Sequence, residues 1–283
     1  MNDDAKSSPG PILPIVCLSI GLSACAQVGE SPKIEGDQIL GGKNISAQVL
    51  NRGQEIYLGS CASCHGVRGD GRGPVGLHQN PPPRDLRHGT IKFASVPVGN
   101  LPTDEDLIRV VKNGLRGTAM LAWPVADADV KAVIQYIKLF SSRWQKEKAG
   151  KPIVLGKDVF KGKRPEALKL GEELYHTKAL CTACHPVYNE ALKRDALSAA
   201  QKETQAKETP QVRSEKAVSI RATKFGQDVL RAGDNVEDIY RAVAAGLGGT
   251  AMPSWESGLS AKEIWALAYY VQEQARKTHQ GTK

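Results

Sequence analysis

The chain has little of what usually fills a protein core. Aromatic residues make up 5% of its 283 positions, and methionine occurs three times, once as Met1. A chain of this length has room for two domains, and cores this poor in large side chains call for another source of apolar bulk. Long apolar runs are also lacking. The stretch from Pro11 to Ala24 is 14 residues, is broken by Pro11 and Pro14, and is short for a membrane span, which needs about 20 residues. Nothing in the sequence resembles a DNA- or RNA-reading motif, so the net charge of +8 and the pI near 9.1 do not indicate nucleic-acid binding. A basic face of this kind suits acidic partner proteins or an anionic membrane surface.

Cysteine is scarce, and most of it is concentrated. Four of the six cysteines lie in Cys61-Ala62-Ser63-Cys64-His65 and Cys181-Thr182-Ala183-Cys184-His185, both of the form C-x-x-C-H. Thiols at this spacing can each add to a haem vinyl group, and the adjacent imidazole reaches the iron as an axial ligand. A zinc or dithiol site is the competing reading of one such pentapeptide. A zinc site wants a further cysteine or histidine pair nearby, and the sequence has none. Two copies therefore point to two covalently bound c-type haems. Cys61, Cys64, Cys181 and Cys184 would be the attachment points, and His65 and His185 would be iron ligands. Each haem would add a large apolar disc to a small core, and four propionates would offset part of the positive charge.

Met120 and Met252, the two methionines besides Met1, both end the tetrapeptide Gly-Thr-Ala-Met. A repeated packing residue is one reading. The other is the sixth iron ligand, Met120 opposite His65 and Met252 opposite His185, where a soft thioether raises the reduction potential. The tetrapeptide closes an internal repeat. Thr103–Met120 and Asn235–Met252 are identical at ten of 18 positions. Leu107, Val110, Val111 and Leu115 fall at helical spacing, as do Ile239, Ala242, Val243 and Leu247. Thr103 and Asn235 are expected N-caps, each with an aspartate three residues on, and Gly114 and Gly246 are expected helix ends. Upstream, Lys92-Phe93 matches Lys224-Phe225 in the same register. A final helix is expected in each half, with stripes Val130, Val133, Ile134, Ile137 and Ile264, Leu267, Ala268, Val271, and a capping box of Ser260 and Glu263. Tyr136 and Tyr270 occupy equivalent places. Before each C-x-x-C-H motif, Gly-x-Glu-aliphatic-Tyr recurs at 53–57 and 171–175 and suits a short helix.

The remaining cysteines lie near the start. Leu22-Ser23-Ala24-Cys25 looks like a bacterial lipoprotein signal, cleaved so that Cys25 becomes the lipid-bearing terminus on the periplasmic side of a membrane. The leader carries Asp3 and Asp4 against Lys6 alone, which departs from the usual positive start, and an uncleaved short anchor is the alternative. Residues 26–46 are polar and Gly-rich and read as a flexible tether. Residues 47–147 form the first expected domain. Residues 148–166 read as a basic linker, and 167–279 as the second domain. Within that domain, 187–216 is a charged insertion that reads as a solvated surface element or, alternatively, a docking element. The His-to-Met interval is 55 residues in the first half and 67 in the second.

Each half thus reads helix, C-x-x-C-H, loop, helix, methionine, helix. This order resembles class I cytochrome c, and the whole resembles a tandem di-haem cytochrome c over about residues 46–147 and 167–277. The resemblance implies an all-α fold of two tandem domains, each wrapped round one covalently attached haem, with the first and last helices of each crossing near it. Gly53 and Gly171 would then allow close approach of Tyr136 and Tyr270. Residues 64–74 look like the Gly-rich loop of this family, in which a proline carbonyl accepts the ligand histidine's other N–H; Pro74 and Pro82 are the candidates. The second half departs from the pattern, because Pro186 follows His185, and it offers no proline candidate. Trp123 and Trp255, each three residues past a methionine, are expected beside the haem. His78, His88 and His176 are rival ligands, more naturally read as surface or packing residues. The implied function is single-electron transfer between respiratory redox partners by a membrane-tethered periplasmic carrier with no catalysis of its own, docking on acidic surfaces. The alternative is a di-haem enzyme, a peroxidase or thiosulfate-type dehydrogenase, in which one haem has a displaceable sixth ligand.

Overall fold

A computed structural model describes residues 32–189, 211–213 and 219–277. The expected signal segment with Cys25 and most of the insertion 187–216 lie outside the described residues. The described chain is mostly helical and repeats one arrangement. In the first half, α1 (Ala47–Ser60) leads into a single turn, α2 (Ala62–His65), then α3 (Asp104–Asn113), α4 (Asp127–Lys138) and the short α5 (Arg143–Lys146). In the second, α6 (Arg164–His176), α7 (Val236–Ala245) and α8 (Ala261–Lys277) take the places of α1, α3 and α4. No helix among the described residues is long and apolar enough to cross a membrane.

The helix boundaries follow from local chemistry. Thr103 caps α3 by accepting from the Asp106 amide, and the Asp106 carboxylate accepts the Thr103 amide in return. Asn235 caps α7 by accepting from the Asp238 amide. Both helices stop at a glycine with positive φ, Gly114 at 64° and Gly246 at 74°. The expected stripes face inward. Val130, Val133 and Ile134 join Leu50 and Tyr57 in one core, while Ile264, Leu267, Ala268 and Val271 join Leu174 and Tyr175 in the other. Gly53 and Gly171 lie where the first and last helices of each half cross. A Cβ on Gly53 would fall 2.3 Å from the Ala132 carbonyl oxygen and 2.8 Å from the Tyr136 Cβ; on Gly171 the distances are 2.2 Å to the Ala266 carbonyl oxygen and 2.7 Å to the Tyr270 Cβ.

Two expectations are corrected. The tether is not featureless up to residue 46: Gln38–Leu40 (β1) and Lys43–Ile45 (β2) form an antiparallel hairpin. Leu40 is fully buried, and the Gly41 amide donates to the Trp144 carbonyl at 2.6 Å. The linker is shorter than 148–166, since α6 begins at Arg164, where Pro165 supplies a first-turn residue that needs no amide partner. Nor is the linker free. Gly150 and Ile153 donate to the carbonyls of Leu101 and Ser95, and the Gly156 carbonyl accepts the Trp265 indole N–H at 2.9 Å. Ile153 and Phe160 are buried in the second core. The mostly helical fold fits the all-α class expected, and Gln211–Arg213 (β3) and Ser219–Arg221 (β4) add a second short hairpin to it.

One polar cluster ties α3 to α4. The Lys138 ammonium, 1% exposed, bonds Asp104 at 2.5 Å and Gln135 at 2.8 Å and lies 4.8 Å from the Trp144 ring centre. Burial alone would raise the Asp104 carboxyl, but Lys138, Lys43 and Gln135 outweigh it and hold the carboxyl below its ordinary value. Asp104→Asn would leave a buried ammonium without its counter-charge. We expect a loss of about 2 kcal/mol, less than for a fully enclosed pair because Asp104 is partly exposed. Urea unfolding at neutral pH checks the value. In the wild type this contribution is present above the ordinary carboxylate range and is lost as pH falls through the depressed value.

Candidate functional site

The first C-x-x-C-H motif is a tight turn packed under its own loop. The amides of Gly71, Gly73 and Val75 donate to the carbonyls of His65, Cys64 and Ser63. A Cβ on Gly73 would fall 2.3 Å from the Ser63 carbonyl oxygen, and one on Gly76 2.1 Å from that of Cys64. The glycines therefore let the loop lie directly on the motif's backbone. Cys61, Cys64, His65 and Met120 line one cavity together with Tyr57, Leu107, Val110, Val111, Val133, Ile134 and Trp123. Apart from the sulfurs and the imidazole, that wall is mainly aliphatic and aromatic.

His65 is oriented by the backbone. Its Nδ1 lies 3.1 Å from the Arg84 carbonyl oxygen. A carbonyl can only accept, so Nδ1 donates, and the lone pair resides on Nε2, the tautomer suited to binding a metal. The acceptor is therefore neither Pro74 nor Pro82. The loop passes the imidazole two residues beyond Pro82, and a backbone carbonyl there serves whatever its side chain. In the second half the His185 Nδ1 lies 3.0 Å from the Thr223 carbonyl oxygen, fixing the same tautomer. Burial pushes the His185 pKa down, with the Thr223 carbonyl opposing it. Phe225 stacks on His185 at 4.9 Å and 15°. Cys181 and Met252 both pack against the second core, as do Tyr188 and Phe225.

Each Gly-Thr-Ala-Met segment is a closed turn. Gly117 and Gly249 have φ of 67° and 73°, conformations that favour glycine. The Thr118 hydroxyl donates to the Leu115 carbonyl and accepts from the Met120 amide; Thr250 does the same with Leu247 and Met252. Leu115 and Leu247 also donate their amides to the carbonyls of Met120 and Met252. The threonine thus fixes the backbone of each methionine, which explains why the motif recurs unchanged.

Two further residues bear on the site. Tyr57 donates to the Gly66 carbonyl at 2.7 Å, and Tyr175 to the Pro186 carbonyl at 3.0 Å, so each holds the residue just after the motif histidine. The shared tyrosine in the Gly-x-Glu-aliphatic-Tyr repeat signalled this contact. Among the rival histidines, His88 is half-exposed beside Asp85, and the His176 Nδ1 lies 2.7 Å from the Glu172 carbonyl.

The donor set suits haem attachment better than a reactive dithiol. Burial pushes Cys61 and Cys181 up to about 11, Cys64 and Cys184 adding to it, whereas dithiol catalysts need a thiolate. Among the described residues no three His, Cys, Asp or Glu side chains gather as a metal-binding group.

Comparison with known proteins agrees with this geometry. The family described as cytochrome c oxidase, cbb3-type, subunit III matches residues 48–137 and 166–271, one segment for each half. A solved chain of the reducing HAO-like protein complex of Kuenenia stuttgartiensis is 27% identical with a TM-score of 0.67, over 79% of this chain and 95% of that one. No curated protein gives a significant match. With two segments that together span more than half of its length, the chain belongs to the cytochrome c family described as cytochrome c oxidase, cbb3-type, subunit III.

Proposed function

We propose that the chain is a di-haem cytochrome c that passes single electrons between protein partners. Cys61 and Cys64 would hold one haem and Cys181 and Cys184 the other. His65 with Met120, and His185 with Met252, would be the axial pairs. The observation that carries this reading is the first-half cavity, where both thiols, a tautomerically fixed imidazole and the repeated methionine line one apolar space. When bound, the haem iron supplies a one-electron couple. The protein's own residues orient the imidazole, hold the methionine backbone and keep water from the site. The family match supports a carrier or an electron-transfer subunit, and the proposal extends to a chain with no catalysis of its own.

The neighbour's place in a complex with two named components supports redox proteins as partners, and the net charge of +8 favours acidic docking faces. The motif at Cys25 supports lipid attachment on the periplasmic side of a membrane, where a tether would raise the effective concentration near a membrane-bound partner.

Haem content tests the reading. Protein matured in a cell competent for haem attachment is expected to carry two haems that survive denaturation. Cys61→Ala with Cys64→Ala should retain one, and Cys181→Ala with Cys184→Ala should retain the other. Retention of both haems in either double variant would remove those thiols from the site.

A further inference from the structure

The second half holds two buried polar atoms that its site leaves unused. His176 Nε2 and the Tyr270 hydroxyl, the latter on a residue 3% exposed, have no hydrogen-bond partner among the described residues. Their rings lie 6.0 Å apart at 74°. The His176 Nδ1 faces the Glu172 carbonyl oxygen at 2.7 Å and donates to it, so the orphan at Nε2 is a lone pair. Buried polar atoms are seldom left unpaired, because each costs its full desolvation. A hydroxyl can donate or accept, so Tyr270 suits either protonation state of the imidazole beside it. The first half is built differently. With Gly53 matched to Gly171, Leu58 stands for His176, Gln54 for Glu172 and Tyr136 for Tyr270. Gln54 hydrogen-bonds the Tyr136 hydroxyl. Glu172 instead accepts from the Asn189 amide at 2.8 Å.

The surroundings balance the charge of this imidazole. His176 lies in the last turn of α6, where the helix carbonyls favour a cation, and the Glu172 carboxylate stands one turn before it. Burial of Nε2 opposes a cation. Tyr175 from α6, Tyr188 from the segment after the motif and Tyr270 from α8 complete the titratable groups around the pair. Burial pushes all three tyrosines up, so they stay neutral near pH 7. Lys178, two residues on, is paired with Glu263 of α8 at 2.6 Å. His176 is only half-buried as a residue, so solvent reaches its ring. Packed rings lead from it to the second site. Tyr175, 5.0 Å from His176 and 5.3 Å from Tyr270, donates to the Pro186 carbonyl beside His185. Phe225 stands 6.5 Å from Tyr175 and stacks on His185. A charge on His176 would act across this apolar packing with little screening.

We propose that His176, with Tyr270 and Glu172 about it, is a proton-binding site that couples proton uptake to electron uptake in the second half alone. This rests on the di-haem reading and adds a second activity to it. On reduction the electron comes from the redox partner and the proton from solvent. The Nε2–H bond forms as an O–H bond of a hydronium ion breaks, and oxidation reverses both. The imidazolium donates to the Tyr270 oxygen, and the neutral ring accepts from the Tyr270 hydroxyl. A proton on His176 disfavours the extra positive charge of oxidised iron, so the second-half potential is higher when His176 is protonated and falls as pH rises. Leu58 gives the first half no such group.

The experiment is a spectroscopic redox titration of the full-length holoprotein at a series of pH values, with the second-half wave assigned by Met252→Ala. In the wild type that wave is expected to move to lower potential as pH rises through the range in which imidazoles lose their proton. His176→Leu, which copies the first half, and His176→Gln, which keeps a polar side chain that does not titrate, should both lose this movement and lie near the wild-type alkaline value. A merely structural effect would displace the wave at every pH and leave its slope. Tyr270→Phe should keep the slope and move it to lower pH, because the imidazolium loses its acceptor. Protons taken up on reduction in unbuffered solution, read with a pH indicator, should be fewer in His176→Leu than in the wild type. A second-half wave that is flat with pH in the wild type overturns the proton site, as does a slope that survives in both His176 variants. Wild-type protein without haem on Cys181 and Cys184 overturns the functional reading itself, and haem content read on the same samples separates the two failures.

Discussion

Met120→Ala is expected to lower the potential of the first-half haem by a sizeable part of the roughly 0.8 V that axial ligation spans, and Met252→Ala to do the same in the second half. A thioether is soft and favours the reduced iron; water or an imidazole in its place favours the oxidised one. The structure makes the substitution clean. Each turn is closed by a threonine hydroxyl and by a leucine amide, and neither bond uses the methionine side chain. The backbone should therefore hold while the ligand alone is lost. A spectroscopic titration reads both waves, and loss of the thioether-to-iron signature should accompany the fall. A wave that stays in place would remove that methionine from the coordination sphere.

Gly53→Val and Gly171→Val should each cost about 3 kcal/mol or more. At both positions even a Cβ would lie under 2.4 Å from a backbone carbonyl oxygen of the facing helix. The obstacle is backbone, so no rotamer change relieves it and the two helices must separate. Separation would open the packing between Tyr57 and Tyr136, whose rings are 5.4 Å apart, or between Tyr175 and Tyr270, at 5.3 Å. Chemical unfolding measures the effect. A loss under 1 kcal/mol would mean that the helices do not cross this closely.

The repeated helices were legible because their determinants are local. A cap at Thr103 or Asn235, an apolar stripe and a terminal glycine all fall within a dozen or so residues. The close crossing at Gly53 and Gly171 was legible only through the family resemblance. The hairpin at Gln38–Ile45 was not legible, since its polar, Gly-rich residues are ordered by Trp144, about a hundred positions away. The basic connection misled for a similar reason. Ile153 and Phe160 lie in the short apolar stretches Ile153-Val154-Leu155 and Val159-Phe160 between lysines, and their burial depends on a core assembled from α6, α7 and α8. At the site, the cysteines, histidines and methionines announced themselves by motif. The carbonyls of Arg84 and Thr223 did not, because every residue has a carbonyl and only the path of the loop selects one.

The strapped connection has a consequence for timing. Residues 150–156 are tied by backbone and indole hydrogen bonds to residues of both halves. On the proposed reading, the two redox centres then stand at a spacing set by folding. Exchange between them would be a hop over a constant gap, independent of solvent viscosity, whereas exchange with partners would still wait on collision. A chain built this way can hold two electrons and release them singly, in an order set by the difference between its two potentials.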